Sequence, residues 1–278
     1  MLKVFSYGGG VQSMAALVLA SQERIDYRTF LFCNVGADSE NPATLNYVRD
    51  VARPFAVRHG LAFHELERVK RDGSVETIYQ RMMRPESCSI GIPVYLASGA
   101  PGNRNCTVEF KIRVCDRWLK EQGVRHTLEV EKRTGACHPR PLAVVGLGIS
   151  LDEFQRMRND SGLEWKKLEY PLIDLRLDRM QCMQIIRAAG LPVPPKSSCW
   201  FCPFHSTRTW QTLRQEQPVL FWKAVELQNE INARRVRLGK DTVWLSNKLK
   251  PLEKVTTDYQ QESLFEEEAP CESGYCFV

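Results

Sequence analysis

The chain is 278 residues long, 43% hydrophobic and 26% charged, which are the proportions of a globular protein and exclude a disordered or collagen-like one. No apolar run approaches the roughly 20 residues that span a bilayer. The opening residues, Met1 to Tyr7, reach glycines too soon for a secretory leader, so a cytoplasmic protein with no membrane partner is expected. The net charge of +5 conceals an asymmetry: from Thr256 to Val278 there are six acids and no Lys or Arg, leaving 38 bases against 27 acids elsewhere. A basic body with an acidic tail suits a polyanionic ligand, either nucleotide phosphates or nucleic acid; the alternative is a solvated basic surface.

Residues 2–5 read as a strand, 6–10 as a turn in which Gly8, Gly9 and Gly10 can take positive φ, and 11–20 as a buried helix. Residues 29–35 form a second strand ending at Gly36. A helix follows over 42–58, with Asn41 as its cap and Pro42 in first position. A third strand is expected over 61–66. Residues 84–105, with Pro85, Pro93 and Pro101, read as a long loop with one helical turn. Beyond it come a helix over 110–121, a strand over 142–148 and a helical segment over 151–158. A strand over 168–173 and a helix from Asp178 to Ala189 follow, then a mainly helical stretch over 213–238 broken near Pro218. Alternating strands and helices imply right-handed crossovers and a parallel sheet. The expected fold class is α/β, an open parallel sheet with flanking helices over residues 1–190. It is joined by a helical cysteine-bearing part over 191–255 and an acidic cysteine-containing tail over 256–278.

The turn at Ser6, Gly8, Gly9, Gly10, Gln12 and Ser13 lies between strand and helix, where backbone N–H groups and a helix N-terminus make an anion site. It is neither a Walker loop nor a Gly-x-Gly-x-x-Gly fingerprint. Gly8-Gly9-Gly10-Val11-Gln12-Ser13 resembles the PP-loop signature, Ser-Gly-Gly-x-Asp-Ser, of the adenine nucleotide α-hydrolases, which include the ATP pyrophosphatases and the phosphoadenylyl-sulfate (PAPS) reductases. Gly8 stands where that signature has Ser, and Gln12 where it has Asp, so magnesium coordination from this loop is in question while the backbone phosphate cradle is kept. Asn34-Val35-Gly36 with Glu40, Pro42 and Thr44 is similar to the segment after the second strand of PAPS reductases. Gly146 to Glu153 with Arg156 is similar to their Gly-x-Arg-x-x-Glu-Ser-x-x-Arg element. The resemblance implies a PP-loop, HUP-like fold, with ATP or an adenylyl sulfate bound by Asn34, Gly36, Gly148, Glu153, Arg156 and the glycine turn.

In a reducing compartment the 10 cysteines are metal ligands, redox thiols or core residues rather than a disulfide framework. Cys199-Trp200-Phe201-Cys202-Pro203-Phe204-His205 has metal-ligand spacing, with Cys106 as the distant partner. Cys106 is similar in position to the first cysteines of cluster-containing adenylyl-sulfate reductases, which implies a [4Fe-4S] cluster. Zinc held by Cys106, Cys199, Cys202 and His205, with Cys88 as another fourth ligand, is the alternative; buried thiols without metal is the third reading. Cys33, Cys115 and Cys182 are expected in the core. Lys111, near Cys106 with Arg104 and Arg113, can hold a sulfate or phosphate through charge-assisted hydrogen bonds and is a catalytic candidate.

The tail sequence Cys271-Glu272-Ser273-Gly274-Tyr275-Cys276 loosely resembles the Glu-Cys-Gly segment carrying the nucleophile of PAPS reductases, which makes Cys271 and Cys276 catalytic candidates. These readings lead to sulfur transfer to an acceptor or sulfonucleotide reduction, with an adenine nucleotide as ligand and a nucleic acid or a thiol reductant protein as partner. A nucleic-acid-binding module with structural zinc and a degenerate nucleotide site is the rival class.

Overall fold

Five short strands carry the architecture, β1 (Leu2–Tyr7), β2 (Thr29–Asn34), β3 (Ala62–Glu67), β4 (Ala143–Leu147) and β5 (Lys166–Glu169). The structure, a computed structural model, describes residues 1–85, 87, 89–158 and 160–257. All pairings are parallel and the strand order is β3-β2-β1-β4-β5. Successive side chains of β1 and β2 enter opposite faces, as a two-residue period requires. Phe5, Tyr7, Phe30 and Phe32 join one apolar cluster; Val4, Leu31 and Cys33 join another. Both faces are therefore covered, which is why the strands read as continuous apolar runs rather than alternating ones.

Helix α1 (Val11–Ser21) is buried at every position from Val11 to Ala20, because it sits between the sheet and an outer helix. α2 (Pro42–Tyr47) and α3 (Arg53–Arg58) are one helix interrupted by a π-helical turn over Val48–Ala52. Asn41 caps it as expected, its Oδ1 accepting from Ala43 N at 2.9 Å. Pro54 has no N–H to donate, and the widened turn just before it accommodates that loss. α4 (Ile78–Met82) and α5 (Asn105–Thr107) bracket the proline-rich segment. From α5 the chain stays helical through α6 (Arg113–Leu119) and α7 (Arg125–Thr134), with a break where Gln122 leaves helical angles and Gly123 takes φ 108°. α8 (Pro171–Asp174) follows β5, and α9 (Arg179–Ala188) packs on α1. The Asp178 carboxylate caps α9 by accepting from Gln181 N at 2.7 Å. α10 (Thr207–Glu216), α11 (Pro218–Arg237) and α12 (Leu252–Thr257) complete the described chain.

Three expectations need correction. The last strand ends at Glu169, since Pro171 takes the first position of a helix rather than continuing a ladder to which it could not donate. The helix expected over 110–121 is one part of a helical run from Asn105 to Thr134. The helical stretch expected from residue 213 begins at Thr207, where Ser206 Oγ accepts from Thr209 N at 3.1 Å; its polar outer face weakens the apolar period by which a helix is recognised. Of the tail, Thr256 and Thr257 end α12, and residues 258–278 lie outside the described residues. Among the described residues no helix is long and apolar enough to cross a membrane.

Candidate nucleotide and thiol sites

The strand order reverses between β1 and β4: β2 and β3 lie to one side of β1, and β4 and β5 to the other. A crevice at the carboxyl ends of strands flanking such a switch point is where open α/β sheets bind ligands. The glycine turn stands there. Gly9 alone of its three glycines has positive φ, at 79°; a Cβ on it would lie 2.8 Å from Thr44 Cγ2 and 3.2 Å from Ser197 Oγ. Gly10 is the extended N-cap of α1, at φ −103° and ψ −174°, and a Cβ there would meet nothing closer than 4.0 Å. The turn is closed by Ser13, whose Oγ accepts from Gly10 N at 3.1 Å and donates to Gly10 O at 2.9 Å. The first N–H groups of α1 lack intrahelical partners by construction, so with the helix dipole this end favours an anion.

Gln12 does not face outward from this cradle. Its side chain is buried and Nε2 donates to Ser150 Oγ at 3.3 Å. Gly148 allows that approach: a Cβ would lie 3.3 Å from Ser13 N, so β4 ends directly against the start of α1. Asn34 shapes the neighbouring turn, accepting from Gly36 N at 2.9 Å and donating to Glu65 at 2.7 Å. Gly36 has φ 116°, and a Cβ there would lie 2.5 Å from Thr77. After β4, Glu153 and Arg156 form an ion pair of 2.7 Å whose side chains are 2% and 1% exposed. Burial pushes the Glu153 carboxyl up to about 7 and Asp152 adds to this, while Arg156 opposes it.

Two cavities flank the buried Lys111, which is 7% exposed. One, of about 80 Å³, lies under the ends of β1 and β4 and is lined by Ser6, Leu147, Arg158 and Tyr170 among others, together with Lys111. The other, of about 40 Å³, is lined by Cys106, Cys199, Cys202, Arg104 and again Lys111. The three cysteines that the spacing singled out thus share one chamber, although they come from α5 and from the segment 199–202. Among the described residues no group of three or more His, Cys, Asp or Glu side chains lies close enough to hold a metal. Burial raises the Cys199 thiol pKa well above its usual value; Glu40 and the other two thiols raise it further, and Lys111 lowers it. His205 is turned to the protein, its Nε2 within 3.0 Å of Cys199 O and its ring edge-on to Trp210 at 4.9 Å; it does not line the thiol chamber. Cys33, Cys115 and Cys182 are buried, and Cys33 and Cys115 sulfurs lie 3.3 Å apart. Cys88, Cys271 and Cys276 lie outside the described residues.

Residues 196–200 tie the two sites together, a role the sequence reading missed. Ser197 Oγ donates to Gly8 O at 2.7 Å, and Thr44 Oγ1 donates to Lys196 O at 3.5 Å. Asn41 N donates to Ser198 O at 3.1 Å, and Trp200 N to Ser39 O at 3.2 Å, around an antiparallel bridge of Glu40 with Cys199. Lys196 Nζ is buried beside this strap. The one available signal was a Lys-Ser-Ser run between a proline-rich segment and the Cys-x-x-Cys pair. No protein-family model, curated protein or solved structure matches this chain.

Proposed function

We propose that this chain is a PAPS-reductase-like PP-loop enzyme that binds ATP or an adenylyl sulfate at the β1–β4 crevice and performs sulfur transfer or sulfonucleotide reduction. The observation that carries the reading is Lys111, one buried lysine lining both the cavity beneath the strand ends and the chamber of the three thiols. An ammonium so placed can hold a phosphate or sulfate through charge-assisted hydrogen bonds, and it partly opposes the burial that holds the Cys199 thiol protonated. The glycine turn supplies backbone N–H groups for phosphate oxygens, and Gly9 lets Thr44 and Ser197 pack closely against it.

The donor types suit a soft metal centre, although the described thiols do not stand together as a metal-binding group. Cys106, Cys199 and Cys202 would hold a [4Fe-4S] cluster, which supplies electrons or carries sulfur when bound. Phe201 and Phe204, both buried, line the chamber, and Arg104 stacks on Phe204 at 4.6 Å. In the transfer version, ATP adenylates the acceptor with loss of pyrophosphate, and a sulfur nucleophile then displaces AMP. In the reduction version, a thiolate attacks the sulfur of an adenylyl sulfate, the nucleotide leaves, and a thiol reductant protein completes the reduction. The tail thiols Cys271 and Cys276 are the nucleophiles the resemblance assigns to that second version.

A second reading is favoured by Gln12, an amide committed to Ser150 where a metal-binding carboxylate would stand. It is a nucleic-acid-binding module with zinc on Cys106, Cys199 and Cys202, for which His205 would have to turn from Cys199 O to become the fourth ligand. Metal and labile-sulfide analysis of protein purified without air separates the two. Iron with stoichiometric sulfide supports the enzyme; a colourless zinc protein supports the module.

A further inference from the structure

We infer that the groove along α6 and α7 docks the phosphodiester backbone of a nucleic acid and leads it to the Lys111 crevice. The groove has a volume of about 1040 Å³, and eight Lys and Arg side chains against three carboxylates line it. Those three carboxylates are already committed: Glu121 to Arg117 at 2.8 Å, Glu129 to Arg125 at 2.8 Å and Asp116 to Lys166 at 2.6 Å. Of the five cations left, Arg113 pairs with Glu109 and Lys70 with Asp72 outside the lining. Arg71, Lys120 and Lys132 make no ion pair among the described residues, and they carry the excess charge.

The groove is not built for a small molecule. Such sites are mostly apolar with a few placed polar groups, whereas cations dominate here. It also lacks Phe, Tyr and Trp, both the anchors of protein interfaces and the stacking platforms of base readers. What remains is attraction for a regularly spaced line of negative charge. From Arg113 to Lys132 the helical run spans at most roughly 28 Å at about 1.5 Å per residue, the bend at Gly123 shortening it. That length matches roughly eight phosphates at about 3.4 Å per nucleotide. Recognition through phosphates carries no sequence information, so the dock is predicted to be sequence-independent.

The groove is continuous with the crevice. Ile112, Asp116, Ser161 and Lys166 line both the groove and the cavity that holds Ser6 and Lys111. A strand lying on α6 and α7 therefore reaches the position at which the proposed chemistry ends. The dock extends the functional reading above to the acceptor's class, but binding itself stands on the groove alone.

The test is fluorescence anisotropy with labelled oligonucleotides of about 20 residues, as single-stranded RNA, single-stranded DNA and duplex DNA, between about 50 and about 200 mM salt. Three cations without an ion pair among the described residues predict a log–log salt slope of about −2 for a single strand, or about −3 for a duplex. Replacing Arg71, Lys120 and Lys132 together by Ala should flatten that slope by about 2 to about 3, while Lys120→Arg with Lys132→Arg keeps it and thermal unfolding shows the triple variant folded. Binding of any of the three probes with this behaviour supports the dock, and the tightest names the acceptor. No binding at the lowest salt, a slope the triple variant leaves unchanged, or tighter binding of polyglutamate than of any oligonucleotide would overturn it, the last by pointing to an acidic protein. Calorimetry with ATP on the same samples reports the nucleotide site separately, so failure of the dock and failure of the nucleotide reading give different results.

Discussion

Replacing Gly9 by Ala, with Gly10→Ala as its neighbour control, separates the two roles a glycine can have in this turn. At Gly9 the new methyl group meets a left-handed backbone, φ 79°, and a contact of 2.8 Å with Thr44 Cγ2. The backbone conformation costs about 1–2 kcal/mol for a residue with a Cβ, and forcing an extra carbon into a packed site adds about 1–3 kcal/mol. A total near 3 kcal/mol corresponds to a fall in Tm of roughly 6–12 °C in a chain of this order of size. At Gly10 the backbone is extended and the nearest atom is 4.0 Å away, so only the weaker capping of Ala remains, about 0.5–1 kcal/mol. Thr44 and Ser197, the two groups the Gly9 methyl would displace, also fasten residues 196–197 over the turn. Gly9→Ala is therefore expected to weaken ATP binding much more than Gly10→Ala. The assay is thermal unfolding of both variants with and without ATP. Equal losses at the two positions, or a larger loss at Gly10, would refute the assignment of the left-handed, close-packed role to Gly9.

Arg156→Met removes the group that opposes the rise of the Glu153 pKa, so the carboxyl takes up a proton at neutral pH and the variant should be less stable in a denaturant titration by about 1–3 kcal/mol, the cost of the lost buried hydrogen bond. The raised Glu153 pKa makes the folded state hold its proton more tightly than the unfolded one. Stability from this group is present below about pH 4.5 and lost as pH rises towards about 7, a dependence that Glu153→Gln should remove in unfolding curves taken across that range. Serine in place of Cys106, Cys199 or Cys202 should each lower bound metal strongly, whereas serine at Cys33 or Cys182 should not; elemental analysis decides, and full metal in Cys106→Ser would remove Cys106 from the set. Truncation after Ala269, with Cys271→Ser and Cys276→Ser measured separately, should abolish turnover but keep nucleotide affinity; unchanged turnover would leave the tail without a catalytic part.

Local signals made much of the sheet legible. The run into Gly8, Gly9 and Gly10 marks the end of β1, and the Asn41 and Asp178 caps mark helix starts that the structure keeps. What three adjacent glycines cannot reveal is which of them takes the positive φ, because that depends on Thr44 and Ser197, which lie far away in the chain. The strap over the glycine turn was hidden for the same reason: Ser197 bonds Gly8 across 189 residues. Cys106 could be linked to Cys199 and Cys202 by residue type and resemblance, but the lysine standing between thiols and crevice is a product of the helix that carries it. Lys111 is a catalytic candidate by its nearness to Cys106 in the sequence, but its burial, 7% exposed, is set by the fold. Pro171 misled because an apolar run followed it, although a proline without an N–H starts a helix more readily than it continues a strand.

The adenine nucleotide proposed at the glycine turn would reach Lys111, which lines the neighbouring cavity beneath the ends of β1 and β4. Calorimetric titration of air-free protein with ATP and with adenylyl sulfate, on wild type and on Lys111→Met, tests it most directly. Saturable binding of at least one of the two by the wild type, with a marked loss of affinity in the variant, is the expected result. Failure of the folded wild type to bind either nucleotide, or equal affinity in Lys111→Met, would contradict it.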